Sequence, residues 1–108
     1  MINLNDLPSF VRKVCTSHGC WIAGSAAHPQ ALITSIEDID VVCSYAIWDT
    51  VAQLIPPNAR INSFGGWKFK QNGLLIDVWP SDLGIILARA KCTNIWHPAS
   101  NKRFTTVG

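Results

Sequence analysis

The stretch Ile36-Glu37-Asp38-Ile39-Asp40-Val41-Val42-Cys43 decides how this chain is read. Its β-branched content and its alternation of apolar and acidic residues predict a strand. Side chains two apart on a strand leave the same face, so Asp38 and Asp40 point the same way. A second apolar strand is expected over Leu74–Trp79, and Asp77 interrupts it between Ile76 and Val78. A carboxylate inside a strand core is unfavourable unless it is solvated, hydrogen-bonded or neutralised by a cation. Three such acids on neighbouring strands repel one another, and a divalent metal is the simplest counter-charge. Ligation by oxygen alone suits Mg²⁺ or Mn²⁺ rather than zinc.

Upstream, the short apolar run Cys20–Ala23 reads as a buried strand that stops at Gly24, and Ser25 can cap a short helix. Glycine lets backbone approach a ligand closely, and a helix start presents free N–H groups to an anion. A phosphate cradle at Gly24 and Ser25 beside a carboxylate metal site is what metal-assisted phosphoryl or nucleotidyl transfer requires. Each piece alone has a plainer reading: Gly-Ser is a common turn, and edge strands often carry acids outward. The conjunction of the three segments carries the chemistry.

Further outward, a helix is expected over Leu7–Thr16, with Asp6 as its cap, Pro8 in its first turn and Phe10, Val11, Val14 and Cys15 as its apolar stripe. Another runs from Tyr45 to Ile55 and stops at Pro56-Pro57. Arg60–Phe64 and Trp67–Gln71 are predicted strands around Gly65-Gly66, and Gln71-Asn72-Gly73 is a second turn. A last helix is expected over Asp82–Lys91, and the tail from Cys92 has no clear period. The fold class is therefore α/β or α+β, a mixed twisted sheet with helices packed on it.

The chain's 108 residues make one domain, 1–108. With 48% apolar and 15% charged residues it is neither a disordered tail nor a coiled coil. No apolar run approaches the ~20 residues of a membrane span. Met1–Lys13 does not read as a signal peptide, so a cytoplasmic location is expected. Nine Lys and Arg against seven acids give a net charge of +2, and Lys68/Lys70, Arg89/Lys91 and Lys102/Arg103 are scattered pairs for which solvated surface is the default. Cys15, Cys20, Cys43 and Cys92 read as reduced thiols acting as small apolar fillers. Zinc ligation by Cys15, His18, Cys20 and His28 is the weighed alternative, but the spacing matches no common finger. Trp67, Trp79 and Trp96 read as core or interface anchors before base-stacking platforms, and His97 as part of a surface turn.

Ile22-Ala23-Gly24-Ser25, Asp38-Ile39-Asp40-Val41 and Ile76-Asp77-Val78 together resemble the nucleotidyltransferase superfamily with the DNA polymerase β palm fold. The resemblance spans about Trp21–Trp79. It implies a palm-like fold and transfer of a nucleoside monophosphate from a nucleoside triphosphate to an acceptor. In that frame Asp38, Asp40 and Asp77 hold two Mg²⁺, and Gly24 and Ser25 hold the terminal phosphates. Lys68, Lys70 and Arg103 are candidates to offset the triphosphate charge. About 29 residues follow Trp79. The acceptor (protein, RNA or small molecule) is therefore expected to be read by a protein partner or a homo-oligomer. The alternative is a catalytically weak or inactive palm-fold regulatory or binding module, such as an antitoxin-like partner of another protein.

Overall fold

The computed structural model describes residues 1–82 and 94–105. The chain starts with a one-turn 3-10 helix, Leu4–Asp6, and then α1, Ser9–His18. The helix expected from Leu7 begins two residues later because Pro8, extended at ψ 153, occupies the cap position. Asp6 does not cap it; its carboxylate accepts from the Asn3 amide at 2.9 Å. The start of α1 is closed from a distance instead, by Gln71, whose Oε1 accepts from the Phe10 amide at 3.0 Å. Gly19 ends the helix in the left-handed region at φ 67, which costs glycine little. Phe10, Val11, Val14 and Cys15 are its buried residues, the stripe that helical spacing selects.

Seven strands follow: β1 Trp21–Ala23, β2 Asp38–Cys43, β3 Arg60–Ile61, β4 Trp67–Gln71, β5 Leu74–Pro80, β6 Asn94–His97 and β7 Lys102–Thr105. They form one sheet in the order β3-β4-β5-β2-β1-β6-β7. β2 and β5 run parallel, and the other neighbours are antiparallel. α2, Tyr45–Ala52, lies on the path from β2 to the hairpins. The mixed sheet carrying two helices agrees with the expected α+β class.

Several boundaries differ from expectation. The segment after β1 is a single 3-10 turn, Gly24–Ala27, rather than an α-helix. β2 starts at Asp38, not Ile36, and β3 ends at Ile61, where Asn62 turns the chain. The tail read as aperiodic holds the β6–β7 hairpin. β6 lies between β1 and β7 with Ile95 and Trp96, which face opposite ways, both buried, so no alternation marks it. His97 thus sits at the end of a strand rather than in a surface turn. The helix expected over Asp82–Lys91 lies outside the described residues beyond Asp82, as does Cys92.

Alternation gives the sheet two unlike faces. One carries Ile22, Ile39, Val41, Ile76, Val78, Phe69 and Trp96, which form the main core with α1 and with Val51 of α2. Phe10 of α1 meets Phe69 of β4 edge to face, 5.0 Å between centroids. The opposite face carries Asp38, Asp40 and Asp77, with a smaller apolar group of Ala23, Val42 and Ile95 beside Trp21 and Trp79. The acids therefore stand apart from the main core, on the face turned away from α1.

Candidate metal centre

Register brings the three acids together. In the parallel pair β2–β5, Asp40 lies directly beside Asp77 and Asp38 beside Leu75. Paired residues share a face, so Asp77 joins the side on which period two already places Asp38 and Asp40. One carboxylate oxygen of each lies within 4.8 Å of the others, and all three residues are half-buried. This oxygen-only set fits a hard dication. Asp40, at the centre, has its pKa raised to about 6, first by burial and then by the charges of Asp38 and Asp77. Mutual repulsion at this site is thus a property of the fold, and a cation held there would relieve it.

Gly24 and Ser25 stand at the edge of the acids. Ala23 pairs with Asp40 across β1–β2, so the chain turns at Gly24 immediately beside that carboxylate. Gly24 has φ +73, and a Cβ there would lie 3.0 Å from Asp40 Oδ2. Ser25 is exposed. A single 3-10 turn does not build a macrodipole, so the helix-start argument for phosphate does not hold here. The close approach of the Gly24 backbone to Asp40 and the exposed Ser25 side chain remain.

The candidate cations separate. Lys68 pairs with Asp77 and Lys70 with Leu75 across β4–β5, so both rise on the acid face, and both are exposed. Lys70 also borders an open pocket of about 400 Å³ with Ile36, Glu37, Asp38, Gly73 and Leu75. Arg103 lies on the other face. Its guanidinium sits 4.0 Å from the centroid of the Trp96 ring and donates to the Ile2 and Ala27 carbonyls. Burial lowers its pKa. It ties β7 to the chain start and is not placed to meet a nucleotide at the acids.

Asn62 is the residue that sequence reasoning missed. It is buried, and its Nδ2 lies 3.3 Å from Asp77 Oδ1, 3.1 Å from the Trp67 carbonyl and 3.3 Å from the Val78 carbonyl. Its Oδ1 accepts from the Phe64 and Gly66 amides. One side chain therefore both closes the β3–β4 turn and orients an acid of the site. Asn62 before Ser63 and Gly65-Gly66 is a recognisable turn signal, but nothing in the sequence links it to Asp77.

The weighed zinc set does not assemble. Among the described residues, the group able to hold a metal is the three aspartates. Cys20 instead meets Cys43, Sγ to Sγ 3.0 Å, Cys15 is buried, and His28 Nδ1 accepts from the Gln30 amide. Trp96 is a core residue, as the plainer reading of the tryptophans expects. Compared with protein-family models, curated proteins and solved structures, the chain finds no match. Among the described residues, no helix is long and apolar enough to cross a membrane.

Proposed function

We propose that this protein is a metal-dependent nucleotidyltransferase. It moves a nucleoside monophosphate from a nucleoside triphosphate to an acceptor hydroxyl and releases pyrophosphate. The observation that carries the reading is the Asp40–Asp77 pairing with Asp38 two residues along. That arrangement gathers three carboxylates from two parallel strands onto one solvent-reached face.

Asp38, Asp40 and Asp77 would hold Mg²⁺ or Mn²⁺. Bound dications supply charge neutralisation for the triphosphate and acidify the acceptor hydroxyl. Gly24 brings its backbone close to the Asp40 carboxylate, where a Cβ would be crowded, and the exposed Ser25 offers a hydroxyl donor to a phosphate. Lys68 and Lys70 add positive charge on the same face. Asn62 keeps the Asp77 carboxylate turned toward its partners. The open pocket between Asp38 and Lys70 is where an acceptor would approach from the β4 side.

The test is nucleotide binding by the Mn²⁺-loaded protein, measured by calorimetry with ATP, GTP, CTP and UTP in turn. The reading expects at least one triphosphate to bind, and binding to vanish in Asp40→Asn. Failure of all four to bind the metal-loaded protein sinks it.

A further inference from the structure

The fold collects cations that the sequence scatters. Arg60 pairs with Lys68 across β3–β4, Lys68 pairs with Asp77, and Lys70 follows two residues along β4 on the same face. All three are exposed and lie on the side of the acids away from Gly24. Next to this row stands an aromatic pair. Trp79 is on the acid face, about 7 Å beyond Asp77 along β5. Phe64, at the β3–β4 turn, leans on it with ring centroids 5.4 Å apart and planes at 34°. Phe64 is 59% exposed, although a large apolar ring at a turn tip gains nothing from facing water.

A row of basic residues with a solvent-facing aromatic platform matches the two repeating parts of a single strand of nucleic acid, its phosphates and its bases. Phosphates meet Lys and Arg, and any base can stack on an open ring. We propose that Arg60, Lys68, Lys70 and the Phe64–Trp79 pair form a binding surface for single-stranded nucleic acid. That this strand is the acceptor rests on reading the acids as a transfer site. The binding surface stands on its own geometry: it shares Lys68 and Lys70 with the proposed triphosphate site, while Arg60, Phe64 and Trp79 belong to it alone.

The experiment is fluorescence polarisation of labelled 15-nucleotide single strands, RNA and DNA in separate arms, with a 15-base-pair duplex for comparison. Each arm runs over a salt series on wild type and on variants. Both single strands, or one of them, should bind more tightly than the duplex. The triple variant Arg60→Gln/Lys68→Gln/Lys70→Gln should flatten the dependence of log K on log salt by about 2, or about 0.7 for each phosphate no longer neutralised. Phe64→Ala, a change at an exposed ring, should weaken binding by at least about fivefold at every salt concentration. Circular dichroism confirms that each variant is folded. Asp40→Asn should bind strands as well as wild type or better, so failure of the metal-site reading leaves this result untouched. Absence of single-strand binding at low salt overturns the proposal. So does preference for the duplex, or binding undiminished in the triple variant and in Phe64→Ala.

Discussion

Asp40 carries the conflict built into the site. Its pKa of about 6 lies above the ordinary 3.8 because burial and two neighbouring carboxylates disfavour its charge. The native chain therefore holds this proton more tightly than the unfolded chain does. Metal-free stability is greatest below pH ~4 in this contribution and is lost as pH rises through about 6. With allowance for partial exposure, the loss is about 1–2 kcal/mol. Asp40→Asn should then raise the melting temperature of the metal-free protein at pH 8 by about 5 °C while abolishing its stabilisation by Mn²⁺. Scanning calorimetry with and without the ion checks both signs. Mn²⁺ affinity of wild type should rise as pH increases through about 6, since ion and proton compete for the same oxygens. Asn62→Ala should cost about 2–3 kcal/mol in denaturant unfolding, because it leaves buried amides and carbonyls unpaired. It should also weaken Mn²⁺ binding about tenfold, as removing a ligand's orienting partner does elsewhere. The three acids are legible in the sequence because a carboxylate inside an apolar run is conspicuous. Asn62 is not, since turns are full of asparagine and its value depends on a strand 15 residues away.

At the level of elements, local signals suffice where one face is buried and the other wet. α1 has its apolar stripe at 3.6-residue spacing, and β4 runs from Trp67 to Gln71 as its alternation predicts. The β4–β5 turn uses Asn72 at φ 53 and Gly73 at φ 76, the pair that a tight two-residue hairpin demands. Period fails for β6, buried on both sides, and for β7, a polar edge strand stabilised by partners distant in sequence. Arg103 supplies one such tie, although in the sequence alone it resembles a phosphate ligand. Arg103→Ala should destabilise the protein by about 1–3 kcal/mol in urea unfolding, because the guanidinium no longer stacks on Trp96 or bonds the carbonyls, and leave Mn²⁺ affinity unchanged. Gly66 answers to a different constraint. A Cβ there would collide with the Val78 carbonyl, so the turn leading into β4 passes β5 too closely for any side chain at this position. Gly66→Ala should push the β3–β4 hairpin off the sheet, which increased amide exchange at Arg60–Gln71 would report.

For the whole molecule, the informative division is between the two faces of one sheet. Helix α1 and the main core cover one, and the acids, the basic row and the aromatic pair share the other. That Asp38 and Asp40 share a face is foreseeable from period two, whereas Asp77 joins them only through the register of β2 with β5. The convergence of Arg60 with Lys68, or the removal of Arg103 to the far side, depends on strand order, which no local pattern encodes. The central claim is that the three carboxylates form one cation site, and a Mn²⁺ titration at pH 7.5 followed by the electron paramagnetic resonance of the free ion tests it most directly. Wild type should take up the ion, and Asp38→Asn, Asp40→Asn and Asp77→Asn should each weaken uptake by about tenfold or more. Equal uptake by wild type and the triple Asn variant, or none by wild type at millimolar ion, would contradict it.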